Sequence, residues 1–306
     1  MCTQADKALS KELTPLLMEG SPTKTMTRKI REYCITHLQA TPLWLRTKDQ
    51  IKLHALYFRR PNARYNVICL HGYLFQATPP KEWCCSLAYL LPEANVLMFD
   101  WRGLGDSEGY NGFFWKNDFG SRAWLDIQAA TDFYKQKNSL PVVAIGFCLG
   151  AAMLLHAISQ AKLHHFNQPD VIILNGMFDR FENIFSRMKQ FYVLPLYAAL
   201  VASGIGTLAA TALMNGSLFN LNPIELAHGI QQPALIQLLA EDPFVPLSSG
   251  LAVYELFPGY KELCISTIGK HVRLHTAAPA QFKQVVDRFI NTTLQQLPSP
   301  QLHAEA

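Results

Sequence analysis

The residues with chemistry to offer gather around Cys148. It stands in Gly146-Phe-Cys-Leu-Gly150, between an apolar run, Val142 to Ile145, and an apolar stretch with helical spacing, Leu149 to Ser159. A strand, a tight turn and a helix, with one nucleophilic side chain at the apex, make a nucleophile elbow. Such a turn strains its apex residue and presses the neighbours at minus two and plus two against strand and helix, where a Cβ clashes. Gly146 and Gly150 occupy those places. A sulfur at the apex lies at a helix N-terminus, whose dipole favours a thiolate. The competing reading is a small buried cysteine packed between sheet and helix. By itself, G-x-C-x-G does not decide between them.

Acyl transfer needs a base, an acid to orient it and amide donors for the oxyanion. The segments that follow the other short apolar runs supply candidates. His71-Gly72-Tyr73-Leu74 follows Val67 to Leu70, and Asp100-Trp-Arg-Gly-Leu-Gly-Asp-Ser-Glu-Gly109 follows Asn95 to Phe99. Further on, Glu241-Asp242-Pro243-Phe244-Val245-Pro246 follows Ala234 to Leu239, and Gly269-Lys270-His271 follows Glu262 to Ile268. The chain order is therefore nucleophile, acid, histidine.

What must position these residues is an alternation of strands and helices. The pattern predicts helices at Trp83 to Leu91, Ala123 to Tyr134, Leu149 to Ser159 and Gln281 to about Leu294. Between them lie the runs above and Val171 to Leu174. Leu43 to Thr47 and Ile51 to Phe58, joined at Lys48-Asp49-Gln50, read as a hairpin. This is an α/β chain with a mostly parallel sheet covered on both faces, and ligands bind at the carboxyl ends of such strands.

From about residue 41 to the C-terminal helix, the chain resembles the α/β-hydrolase fold superfamily. The D-x-R-G-x-G-x-S-x-G string at Asp100 to Gly109, with D-x-x-V-P at Asp242 to Pro246, is similar to its monoglyceride-lipase and depalmitoylase-like branch. The resemblance implies Cys148 as nucleophile, His271 as base and Asp242 as acid, with the backbone N–H groups of Tyr73 and Leu149 as oxyanion hole. Glu241 and Asp179 are rival acids, and His275 is a rival base; only Asp242 has the D-x-x-V-P context. The Arg102 to Gly109 loop is expected to be scaffold. Cysteine at the apex, where the superfamily mostly has serine, resembles dienelactone hydrolases, polyhydroxyalkanoate synthases and bile-acid amidating acyltransferases.

Composition removes other classes. The 306 residues are 49% hydrophobic and 16% charged, with a net charge of +4 and no dense Lys/Arg block, which argues against a nucleic-acid partner. Seven cysteines, an odd number without C-x-x-C, indicate a reducing compartment, and no Cys/His cluster has zinc-ligand spacing. The Met1 to Ala8 start lacks a signal-peptide pattern, so the expectation is cytoplasmic, and Cys2 is a weak acylation signal.

Residues 1–40 read as an N-terminal extension, 41–297 as the hydrolase domain with a helical lid insertion at about 178–230, and 298–306 as a tail. Within the insertion, Phe191 to Met214 carries no charge. That length could span a bilayer, but a span would separate Cys148 from the downstream acid and histidine, and Pro195, Gly204 and Gly206 interrupt it. An apolar lid fits better, with peripheral membrane contact as its competing role. The expected function is hydrolysis of carboxylic esters or thioesters of apolar acyl groups through an acyl-cysteine, without cofactor or metal. The alternatives are an acyltransferase using the same intermediate and a catalytically degenerate binding protein. The partner is a small-molecule or lipid acyl substrate, and the oligomeric state is left open.

Overall fold

Central strands that bury both faces must be mostly apolar, and five runs of this chain are, with the buried Asn66, Asn95, Asn175 and Gln237 as their polar members. The computed structural model describes residues 24–72, 84–109, 122–180, 183, 222–269 and 271–297. In it, β3 (Tyr65–Leu70), β4 (Ala94–Phe99), β5 (Val142–Phe147), β6 (Val171–Asn175) and β7 (Ala234–Leu239) are buried at every position. With the hairpin β1 (Thr41–Arg46) and β2 (Lys52–Phe58), and with β8 (Lys261–Ser266), they form one eight-stranded sheet in the order β1-β2-β4-β3-β5-β6-β7-β8. Only β2 runs against its neighbours, β1 and β4; every other pairing is parallel.

Helices close both faces, each through an apolar stripe. On one face lie α1 (Lys24–Thr36), α2 (Cys85–Leu90), α7 (Leu274–Ala277) and α8 (Pro279–Gln296). Ile30, Cys34 and Leu38 place the N-terminal helix and its exit in this core, while Phe282, Val286, Phe289, Ile290 and Thr293 give α8 its helical stripe. On the other face lie α3 (Trp124–Lys137), α4 (Leu149–His164), α5 (Pro223–Leu226) and α6 (Leu247–Leu256). Helix α4 is buried along most of its length, from Leu149 to Ala161, and ends at His165 in the left-handed conformation (φ 56°).

One detail departs from the sequence reading. The C-terminal helix begins at Pro279, where a proline at the first turn loses no hydrogen bond, and a separate turn of helix, Leu274–Ala277, precedes it. Within the stretch read as an N-terminal extension, α1 buries Ile30 and Cys34 in the core on its face of the sheet. Residues 1–23, the tail 298–306, Lys270, Tyr73 and Phe191 to Met214 lie outside the described residues. Among the described residues, no helix is long and apolar enough to cross a membrane.

The loop after β4 is held by a buried ion cluster. Arg102 donates from its backbone N–H and from Nε to Asp126, and its Nη1 and Nη2 reach Asp49 in the hairpin turn. Burial pushes the Asp126 carboxyl up to about 6, against the pull of the Arg102 guanidinium. Arg102→Met leaves that carboxylate buried without its cation and should cost about 3–5 kcal/mol in urea denaturation. The loss should shrink as pH falls towards about 6, because without the pull of Arg102 the Asp126 carboxyl of the variant takes up its proton above that value. An equal loss at every pH would show that the cluster's charge is not what holds the loop.

Candidate active site

The elbow is built as sterics demand. Cys148 has φ 50° and ψ −115°, outside the allowed regions for an L-residue, at the junction of β5 and α4. A Cβ on Gly146 would lie 2.6 Å from the Ala151 Cα, and one on Gly150 would strike the Leu70 carbonyl oxygen. Both glycines are therefore required by close approach of the backbone. The Cys148 N–H donates to the Asn175 carbonyl at 2.8 Å, which ties the apex to the end of β6.

Cys148 differs from the other described cysteines. Its side chain is half-buried, whereas Cys34, Cys69, Cys84, Cys85 and Cys264 are buried. Burial pushes the Cys69 thiol far up and the Cys264 thiol up, so both stay protonated and inert. Leu149 opens α4, so its N–H is among the first-turn amides that no intrahelical carbonyl accepts.

His271 stands in the turn between β8 and α7, and its Nδ1 lies 2.7 Å from Asp242 Oδ2. The other carboxylate oxygen, Oδ1, accepts the backbone N–H groups of Phe244 (2.8 Å) and Val245 (3.0 Å). This accounts for the D-x-x-V-P string: the side chain closes its own turn with one oxygen and offers the other to the imidazole. Burial penalises the Asp242 carboxylate, but the His271 bond, its charge and the two amides together hold it below the usual range. Phe244 meets the His271 ring edge-on at 5.3 Å.

The structure brings Cys148, His271 and Asp242 together and leaves the rivals elsewhere. Burial disfavours the His271 imidazolium, yet the Cys148 charge, hydrogen bonds to Asp242 and Cys148, and the Asp242 charge outweigh it and push the group up to about 10. Asp179 instead accepts from Ser249 Oγ, the Arg180 N–H and Asn183 Nδ2. Glu241 is exposed, and His275 is buried against Phe147 and Phe282. Tyr73 lies outside the described residues. The described residues nearest to a metal-ligand grouping are His54, Asp100 and Asp106. There, Asp106 pairs with Arg31 at 2.7 Å, and Asp100 accepts the Asp106 N–H.

Two features of the site escaped the sequence reading. Gly176, at φ 64°, passes beneath the histidine: a Cβ there would lie 2.7 Å from Val272 Cγ1 and 3.3 Å from His271 Cε1. Val272 itself has φ 53°, a costly conformation for a β-branched residue. A glycine after β6 was a readable signal, whereas nothing about a valine announces a left-handed turn.

The raised His271 value yields a signed prediction. Because it stands above the ordinary histidine value of about 6.5, its contribution to stability is whole below about 6.5 and is lost as pH rises through about 10. Cys148→Ala removes the sulfur's charge and its hydrogen bond, so the His271 Cε1–H resonance should titrate at a clearly lower pH than in the wild-type chain. An unmoved titration would show that the sulfur does not face the imidazole.

Residues 67–291 match the model of the alpha/beta hydrolase family. The uncharacterized protein YfhR of Salmonella typhi is 29% identical over 174 residues, 51% of this chain and 55% of the relative. The match thus spans about half the length of that relative. Among solved structures, the Pyrococcus furiosus esterase Pf2001 superposes with a TM-score of 0.63 at 20% identity, covering 87% of this chain and 92% of that one. The esterase RhEst1 from Rhodococcus sp. ECU1013 does so with a TM-score of 0.57 at 16% identity, covering 82% and 99%. At these identities the likeness shows the fold.

Proposed function

Because the chain belongs to the alpha/beta hydrolase family, we propose that it hydrolyses carboxylic esters or thioesters through an acyl-cysteine intermediate. The observation that carries this reading is the His271 imidazole, bonded to the Asp242 carboxylate and to the Cys148 sulfur at the strained apex of the elbow. A positioned base, an oriented acid and a half-exposed nucleophile at a helix N-terminus are the parts that acyl transfer needs.

The Cys148 thiolate attacks the acyl carbonyl carbon, and the N–H groups of Leu149 and Tyr73 receive the oxyanion. His271 gives its proton to the departing alcohol or thiol as the carbon–oxygen or carbon–sulfur bond breaks. The neutral imidazole then takes a proton from water, whose oxygen attacks the thioester. The acid leaves, the thiolate returns and His271 is again protonated. Asp242 keeps the ring in the orientation that serves both steps. The acyl group is apolar, a specificity suggested by the uncharged Phe191 to Met214 run. Each methylene buried there would contribute about 0.8 kcal/mol.

Intact-protein mass spectrometry with a panel of p-nitrophenyl esters and acyl thioesters tests the reading. An adduct on Cys148 that water discharges supports it. Discharge only by an added amine or alcohol would make the protein an acyltransferase. No adduct with any member of the panel would leave a binding protein.

A further inference from the structure

We propose that Trp101 is a positioning residue for acyl transfer: its indole N–H fixes the His71–Gly72 peptide against the elbow beside Cys148. The role rests on the acyl-cysteine reading and deepens it. Trp101 is the second residue after β4 and is fully buried. Its Nε1–H donates to the His71 carbonyl oxygen at 3.0 Å, and its ring meets His71 and Phe99 edge-on.

The peptide it holds is the one that touches the apex. A Cβ on Gly72 would lie 2.8 Å from the Phe147 carbonyl oxygen and 3.2 Å from the Cys148 Cβ. From the other side, a Cβ on Gly150 would lie 2.9 Å from the same His71 carbonyl. The carbonyl is thus set between the elbow helix and the indole. Since a peptide is planar, fixing the His71 carbonyl also fixes the direction of the Gly72 N–H. The next residue in sequence is Tyr73, whose N–H the proposed reaction assigns to the oxyanion.

Trp101 is itself held. Arg102, the adjacent residue, is fastened by its backbone N–H and guanidinium to Asp126 and by its guanidinium to Asp49. The D-W-R-G string therefore carries two separate duties. Arg102 anchors the loop, and Trp101 transmits that anchorage to the strand end facing the sulfur.

Alkylation of a thiolate needs the nucleophile and its base, whereas acylation also needs oxyanion donors in place. That difference separates positioning from a merely structural role. Two replacements remove the donor: Trp101→Phe, and 3-benzothienylalanine at the same position, which keeps the bicyclic shape with sulfur in place of N–H. The p-nitrophenol burst that reports acylation should slow by about 10- to 100-fold, chiefly in its limiting rate at saturating ester. The rate and pH profile of Cys148 alkylation by iodoacetamide should stay at the wild-type values. An unslowed burst in the benzothienyl protein, or burst and alkylation falling together, would overturn the role. If wild-type Cys148 is alkylated yet never acylated, the proposed reaction fails first and this role with it.

Discussion

Cys148→Ala should abolish ester turnover, a fall of about 10⁴-fold or more, while the protein melts cooperatively near the wild-type temperature. The size follows from the site: the other described cysteines are buried, and none replaces the sulfur facing His271. The fold should survive because alanine keeps the Cβ and the backbone bond from Cys148 N–H to the Asn175 carbonyl. Cys148→Ser should recover only a small part of the rate, since a hydroxyl must be deprotonated during attack and a thiolate need not be. Progress curves with short p-nitrophenyl esters, read beside thermal melts, measure both. Wild-type rates in Cys148→Ala would remove the sulfur from the mechanism.

Much of this site is readable in the sequence because its constraints are local. Gly146 and Gly150 are dictated by residues within a turn of Cys148 or by the adjacent strand, so the elbow prints itself as a short string. Asp242 is likewise local: the amides it binds are two and three residues away. The sheet is legible for a related reason, since strands buried on both faces must be runs such as Val171-Ile-Ile-Leu174. What was not legible depends on contacts between distant segments. Nothing near Trp101 says that its indole serves a carbonyl thirty residues earlier. Nor does the hairpin turn reveal that Asp49 holds Arg102, or Gly176 that it lies under the His271 ring. The choice between Asp242 and Asp179 could be argued from the D-x-x-V-P context, but only the folded chain shows which carboxylate meets the imidazole.

That choice carries the second large effect. Asp242→Asn should lower kcat by about 10²- to 10⁴-fold, the upper figure being that of a serine enzyme that loses its acid. A thiolate–imidazolium pair needs less help from the carboxylate, so the lower part of the range is expected here. Asparagine keeps the shape and can still accept the Phe244 and Val245 amides through its carbonyl oxygen. The group facing His271 Nδ1 then becomes an amide that donates, which favours the wrong tautomer and removes a charge that helps keep His271 protonated. Two signatures should accompany the lost rate. The His271 titration should move down from about 10, and the alkaline limb of the pH–rate profile should move down with it. Asp179→Asn is the matched control, because that carboxylate serves Ser249, Asn183 and the Arg180 N–H. It should cost some stability where these bonds weaken and leave the pH profile in place. If Asp179→Asn shifts the profile and Asp242→Asn does not, the acid has been assigned to the wrong strand end.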